Sequence, residues 1–359
     1  MVTRKYIICK DEYKMQKVGF VSVYLGEIPH YFNNFICSCS WNQSYDFHVF
    51  LDHPYTDKIA TNVFIHYVNQ SEILKRVEDK LNIIVDESEF SSYKLCDYKP
   101  TYGVLFDDYL VEYDFWGMLD IDLILGDLSY FINDSLLSNF DKIFTLGHMS
   151  LIRNTPETNR LFMTHTENSQ DYLDVYNTPK NCIFDEINGI TEKFVDKGYK
   201  VYFKKDYVDA FISGKRFVIV DRFCFKLLQP QSRYSSYCPI NNYKYQIFIL
   251  DHGKIKMLYF HNGEVKEKEF AYFHKTAFDS LFDITKQSRL IISTQGLIED
   301  DLFFSKVDSS DIKMTDLNKY NKYKPFYEAM QRIYMYFRLN IRCFRKKYFP
   351  REDEILFHD

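Results

Sequence analysis

The chain has 359 residues and a formal net charge of −5, so it lacks the strongly basic footprint of a general nucleic-acid binder. It contains 33 Phe and 30 Tyr but only 12 Gly and 9 Pro, a balance that excludes a disordered or fibrous protein. Its length suits one large domain or two modest ones. From the net charge, we expect no nucleic-acid partner.

The first residues do not resemble a signal peptide, because the apolar run ends at Cys9. We find no uncharged stretch long enough to cross a bilayer. The eight cysteines are scattered, with a spacing that fits neither a zinc site nor a small disulfide framework. These features predict a cytoplasmic protein with reduced thiols.

Strand and helix signals alternate in the N-terminal half. Apolar runs predict strands over 18–24, 47–51, 62–68 and 116–120, and helices over 28–39, 71–81 and 94–113. Pro29 suits a first helical turn, and Ser71 is the expected N-cap of the second helix. Strands separated by helices predict a Rossmann-like, mostly parallel α/β sheet flanked by helices.

The second half has a different pattern. Three apolar runs, over 245–250, 254–260 and 264–273, predict antiparallel hairpins, and Asn262-Gly263 is a strong hairpin turn. A C-terminal helix is expected over 325–348, with an apolar stripe and a basic end. That helix could lie on an anionic membrane surface, or it could simply pack on the domain with its cations near its C-terminus.

Two acids follow the fourth predicted strand. Asp120 and Asp122 are separated by one residue and flanked by apolar residues, and desolvating such carboxylates is costly unless a cation compensates them. Mg²⁺ or Mn²⁺ is the expected cation, since both take oxygen ligands. Gly26 and Asp52 also fall at predicted strand ends, where open parallel sheets bind ligands. The alternative for these acids is turn formation at a solvated strand end.

Five sequence blocks, in order, resemble bacterial glycosyltransferases of the GT-A fold, and more closely a family of small capsule- and lipopolysaccharide-associated glycosyltransferases. The blocks are Tyr24–Phe32, Tyr93–Pro100, Trp116–Asp127, Phe144–Asn154 and Tyr272–Lys275. The resemblance implies a GT-A-like catalytic domain over residues 1–280 and a C-terminal helical extension over 281–359.

The resemblance also implies a site. Asp120 and Asp122 would bind a divalent ion that grips the diphosphate of a nucleotide sugar, and His274 would complete the metal ligands. Asp97 and Lys99 would lie near the donor sugar or ribose. The expected partners are a UDP-sugar donor and a glycan or lipid-linked acceptor of surface polysaccharide synthesis, at the inner face of the membrane.

Four further residues are candidates. Asp185 and Glu186 lie in an apolar setting and could supply a general base, although acids also suit the first turn of a helix. His148 could face the bound sugar, or it could be a hydrogen-bonded core histidine. Lys275, next to His274, could contact the donor diphosphate.

Two other functions compete with this interpretation. Leu119-Asp-Ile-Asp122 resembles the nucleophile strand of haloacid dehalogenase phosphohydrolases, although that family usually carries the motif on its first strand. A non-catalytic carbohydrate-binding protein on a transferase scaffold would also use many aromatic side chains.

Overall fold

The structure is a computed structural model that describes residues 15–299, except 89, 187, 214–215, 222–237, 240–245, 275–283 and 294–295. The strands are β1 Val18–Tyr24, β2 Asp46–Leu51, β3 Val63–Tyr67, β4 Phe115–Leu119, β5 Leu123–Leu125, β6 Lys142–Leu146, β7 Met149–Arg153, β8 Val201–Tyr202, β9 Val208–Ser213, β10 Arg216–Asp221, β11 Cys238–Pro239, β12 Gln246–Asp251, β13 Lys254–His261, β14 Glu264–Phe270, β15 Tyr272–His274, β16 Arg289–Ser293 and β17 Gly296–Glu299. The α-helices are α1 Phe32–Trp41, α2 Gln70–Leu81, α3 Leu95–Tyr98, α4 Tyr102–Leu105, α5 Asp107–Leu110, α6 Leu128–Phe131, α7 Asp134–Asn139, α8 Pro156–Asn159, α9 Tyr172–Tyr176 and α10 Ile190–Asp196. Short 3-10 helices cover Ser92–Lys94, Lys99–Thr101 and Leu161–Met163.

Two compact units divide the chain. The first runs to Tyr207 and takes in Ala271–Lys286, whereas the second contains Val208–Phe270 and the residues from Gln287 onward. All candidate site residues that the structure describes belong to the first unit. The predicted boundary at residue 280 stays a prediction.

A seven-stranded sheet organises the first unit, with the order β3-β2-β1-β4-β7-β6-β8. The β3, β2, β1 and β4 strands pair in parallel, β7 is antiparallel to both of its neighbours, and β6 pairs in parallel with β8. Apolar side chains of β1 enter hydrophobic clusters on both faces of the sheet: Phe20 packs with α1, and Val21 packs with α2. The predicted α/β class with a mostly parallel, helix-flanked sheet is confirmed.

The predicted strand positions hold for β1 to β4, but three helix predictions are wrong in detail. The helix expected over 28–39 begins only at Phe32, and Pro29 lies in the turn before it, where its carbonyl accepts from the Phe32 amide at 3.0 Å. Asn69, not Ser71, is the N-cap of α2, because its side chain accepts from the Glu72 amide and the Glu72 carboxylate accepts from the Asn69 amide. The single helix expected over 94–113 is broken into α3, α4 and α5 around a 3-10 turn. Pro100 lies in that turn and has no N–H to donate to an α-helical ladder.

Antiparallel strands build the second unit within the described residues. One sheet has the order β14-β13-β12-β16-β17, and β13 and β14 are joined by the Asn262-Gly263 turn, with φ of 52° and 85°. The predicted antiparallel hairpins are therefore confirmed. The predicted helix over 325–348 and Lys275 lie outside the described residues. Within the described part of the chain, no helix combines the length and apolarity that crossing a bilayer requires.

Candidate active site

The carboxyl ends of β1, β2 and β4 meet at one edge of the sheet, where the strand order reverses between β1 and β4. Gly26 follows β1 with a φ of 133°, a conformation that favours glycine, and its amide donates to Oδ1 of Asp52 after β2 at 2.8 Å. Asp120 follows β4 directly. Such a reversal point is where open α/β sheets bind nucleotides, so the expected convergence of strand ends is present.

Asp120, Asp122 and His274 form a cluster in which one ligand atom from each lies within 4.8 Å of the others. His274 Nε2 is 3.5 Å from Asp122 Oδ2. The antiparallel pairing of β5 with β15 sets this distance, because it places His274 opposite Leu123, the residue after Asp122. Two carboxylates and an imidazole are a donor set that Mn²⁺ accepts, whereas Mg²⁺ prefers oxygen alone.

A buried lysine links Asp120 to Asp185. Lys99 Nζ is 2.6 Å from Asp120 Oδ1 and 3.0 Å from Asp185 Oδ2, and it also donates to the Gly147 carbonyl at 3.1 Å. The Lys99 and Asp185 side chains are 7% and 3% exposed, while that of Asp120 is 30% exposed. Asp120, the acid nearer the solvent, is therefore held by the Lys99 ammonium, which the buried Asp185 carboxylate also contacts.

The burial of these three charged groups shifts their pKa values. Burial alone would lower the pKa of Lys99, but Asp120 and Asp185 hold that pKa well above its ordinary value. Burial raises the pKa of Asp185 to about 7, although Lys99 acts in the opposite direction. Burial likewise raises the pKa of Asp120, against Lys99 and with a contribution from Asp122. A cation beside Asp120 and Asp122 would relieve this unfavourable concentration of negative charge.

Gly147 makes the approach of Asp185 possible. A Cβ at position 147 would lie 1.9 Å from Asp185 Oδ2, far inside van der Waals contact. The turn between β6 and β7 that carries Gly147 also fixes Asp120, whose amide donates to the His148 carbonyl at 2.9 Å. Sequence reasoning missed Gly147, since nothing in the local pattern shows which side chain approaches it.

Asp97 has the contacts of a positioning residue. It is fully buried, pairs with Lys94 at 2.7 Å, and accepts from the backbone amides of Cys182 and Phe184 at 2.8 and 2.9 Å. These bonds anchor the segment that leads into Asp185. A direct contact between Asp97 and a donor sugar stays a prediction.

His148 supports His274 from the protein interior. It is fully buried, and its ring stacks on that of His274 with centroids 4.3 Å apart and planes at 22°. The Tyr272 hydroxyl is hydrogen-bonded to His148 Nδ1 at 2.9 Å. In this arrangement His148 and Tyr272 fix the ring of a candidate metal ligand, and the predicted sugar contact of His148 stays a prediction.

Asp185 and Glu186 differ in solvent exposure. Asp185 is buried beneath Lys99, whereas Glu186 is partly exposed. They lie in a turn before α10, so the expectation that they form the first turn of a helix is wrong, and the first helical turn instead carries Glu192. Only the partly exposed Glu186 is open to a substrate from solvent.

The chain belongs to a family of unknown function, DUF6625, whose model matches residues 20–301. No curated protein matches the chain in sequence.

Solved structures show a weaker likeness. The galactosyltransferase LgtC, in complex with donor and acceptor sugar analogues, is 12% identical with a TM-score of 0.32 over 61% of this chain and 80% of its own. Core-mannan synthase A (CmsA/Ktr4) from Aspergillus fumigatus, in a Mn/GDP form, is 10% identical with a TM-score of 0.31 over 56% and 75%. A glycosyltransferase involved in glycosylation of the major capsid of PBCV-1 is 8% identical with a TM-score of 0.31 over 54% and 83%. TM-scores this low carry no argument about function.

Proposed function

We propose that the protein is a divalent-metal-dependent glycosyltransferase that uses a nucleoside-diphosphate sugar. The observation that supports this most directly is the Asp120–Asp122–His274 cluster at the reversal point of a parallel sheet. A phosphohydrolase of the haloacid dehalogenase type is disfavoured, because Asp120 follows the fourth strand of the described chain rather than the first.

Each residue of the site would have its own role in metal binding, positioning or nucleoside binding. Asp122 and His274, with Asp120, would hold Mn²⁺ or Mg²⁺, which when bound stabilises the charge that develops on a departing diphosphate. Lys99 keeps Asp120 in place and limits the negative charge of the site. Gly26 and Asp52, joined by a hydrogen bond, form the edge where a nucleoside would lie.

An acceptor hydroxyl must lose its proton during transfer. Glu186 suits the role of general base better than Asp185, since it is partly exposed while Asp185 is occupied by Lys99 in the interior. Asp185 is then a positioning residue that holds Lys99 against Asp120.

Three more specific expectations rest on the sequence resemblance and, for the membrane location, also on the predicted basic C-terminal helix. These are a UDP-sugar donor, an acceptor from surface polysaccharide or lipid-linked glycan synthesis, and a place at the inner face of the membrane reached through the helix predicted over 325–348. The Lys275 side chain would contact the donor diphosphate beside His274.

A thermal-shift screen of UDP, GDP and their sugars, with and without Mn²⁺, tests the proposal. At 100 times Kd, a ligand adds about 2.7 kcal/mol to the free energy of unfolding, which is roughly 5–10 °C in Tm for a unit of this size. The gain should need both metal and nucleotide and should vanish in Asp122→Asn. Asp127→Asn is the matched control, because Asp127 belongs to the same segment but bonds Ser129 instead of the cluster.

Failure of every nucleotide to stabilise the protein in the presence of Mn²⁺ would contradict the proposal. Stabilisation without any donor turnover, across a broad acceptor panel, would favour the carbohydrate-binding alternative instead.

A further inference from the structure

A cavity of about 320 Å³ lies between α6, α7 and the segment after β8, and its lining includes none of the metal-cluster residues. It is lined by aromatic rings and by polar groups that include Asn139, Lys204 and Asp206. Its volume is at the lower end of the roughly 300–1,000 Å³ typical of small-molecule sites. None of these groups takes part in the function proposed above.

The aromatic walls are built in pairs. Tyr130 is 67% exposed and meets Phe131 edge to face at 5.0 Å, and Phe140 meets Tyr202 in the same manner at 5.2 Å. An exposed tyrosine ring in a concave site offers an apolar surface for the C–H face of a sugar.

The polar groups are fixed and electrically balanced. The buried Asp206 accepts from the Tyr202 hydroxyl at 2.7 Å and pairs with Lys204 at 2.9 Å. Asn139 anchors its amide nitrogen on the Ser135 carbonyl at 2.7 Å. A compensated ion pair with amide and hydroxyl groups suits a neutral polyhydroxylated ligand better than a phosphate or a nucleic acid.

A backbone hydrogen bond and a buried ring stack link one wall of the cavity to the strand that carries His274. The Asp206 carbonyl accepts from the Ala271 amide, immediately before β15, the strand that carries His274. Tyr207 then stacks on Tyr272 with centroids 5.2 Å apart and planes at 9°. A ligand in the cavity would thus be held by residues connected to the metal-ligand strand.

We propose that this cavity, which we call the Tyr130 groove, binds a neutral segment of the acceptor glycan beyond the sugar that receives the transferred residue. The assignment of this glycan as the acceptor rests on the proposed glycosyltransferase function. The groove would select acceptors by the sugars that precede the reaction point.

A glycan microarray of bacterial and eukaryotic oligosaccharides, probed with the full-length protein, tests the groove. The best-retained neutral glycan is then titrated against variants. Loss of the Tyr130 ring in Tyr130→Ala should weaken binding about two- to tenfold, and Tyr130→Phe should keep it, because stacking needs the ring and not the hydroxyl. Asn139→Ala gives a second, independent loss through the amide.

Tyr67→Ala is the matched control, since Tyr67 is also exposed (58%) but lies on the opposite edge strand, β3. Retention of no neutral glycan by the array, or equal affinity of the wild type and of both groove variants, would overturn the proposal. Metal-dependent stabilisation by UDP, GDP and their sugars, measured in parallel, separates the two proposals. Groove-dependent glycan binding without stabilisation by any of these nucleotides would contradict the transferase function and leave glycan binding by the groove supported.

Discussion

Replacing Lys99 by Met removes the ammonium between Asp120 and Asp185 while roughly keeping the side-chain volume. In the native protein the Asp185 carboxyl has a pKa of about 7 with Lys99 at 3.0 Å. Without Lys99 the buried carboxyl loses its cation, so its pKa should rise further and Asp185 should stay protonated in neutral and mildly alkaline solution.

The expected cost depends on pH. A carboxyl whose pKa is raised on folding binds more protons in the native than in the unfolded state, so the stability it contributes falls as pH rises. Near pH 6, Asp185 is protonated with or without Lys99, so its ionisation contributes almost nothing to the loss of unfolding free energy in Lys99→Met. Near pH 8.5, Asp185 is ionised beside Lys99 in the wild type but stays protonated in the variant. The free energy of unfolding of the variant is then lower by about 2 kcal/mol, because pH 8.5 is about 1.5 units above the wild-type pKa and each unit is worth about 1.36 kcal/mol. Loss of the contact to the partly exposed Asp120 adds about 1 kcal/mol at either pH.

Urea unfolding followed by tryptophan fluorescence measures this cost. Both tryptophans, Trp41 and the buried Trp116, belong to the first unit, so the signal reports the unit that contains the site. The double variant Lys99→Met/Asp185→Asn should lose the pH-dependent part. A cost of Lys99→Met that is equal at about pH 6 and pH 8.5, or a pH dependence that persists when Asp185→Asn is added, would refute the proposed coupling between Lys99 and Asp185.

Three further predictions concern Gly147, Glu186 and Lys142, a fully buried lysine of β6. Gly147→Ala should lower the free energy of unfolding by about 1–3 kcal/mol, because the new Cβ would collide with Asp185; an unchanged melting temperature would count against the packing described. Lys142→Met should stabilise the protein, more at pH 6 than at pH 10. Burial lowers the pKa of Lys142 to about 7, so between about pH 7 and 10.4 the unfolded chain binds this proton and the native chain does not. The free energy of unfolding of the wild type therefore rises with pH in that window. Urea midpoints of both proteins across pH show whether this rise is absent from the variant. Glu186→Gln should reduce sugar transfer about 100-fold or more with little change in melting temperature, and full activity in a coupled UDP-release assay would remove Glu186 as the base.

The strand ends of the site were predictable because local patterns report them. Alternating strands and helices imply a parallel sheet, and parallel strands bring their carboxyl ends to one edge, so Gly26, Asp52 and Asp120 could be placed together without coordinates. The apolar flanks of Asp120 and Asp122 further showed that these acids are not ordinary surface residues. His274 was placed from the family resemblance alone.

Long-range pairings were not predictable. Lys99 and Asp185 are separated by 86 residues, and no local periodicity links them. The break in the helix at Pro100 places Lys99 next to Asp120, and the absence of a side chain at Gly147 leaves room for Asp185. Both arrangements depend on packing with segments that are distant in sequence. Pro100 beside Lys99 was the one available signal that a continuous helix would fail there.

The metal cluster is tested most directly by electron spin-echo envelope modulation of the protein with one equivalent of Mn²⁺ and UDP. The account predicts tight binding of one ion and modulation from a directly coordinated imidazole ¹⁴N, which disappears in His274→Gln, together with binding that weakens strongly in Asp122→Asn. Binding of Mn²⁺ with no nitrogen coupling, and with the same affinity in both variants, would contradict the claim that Asp120, Asp122 and His274 hold the ion.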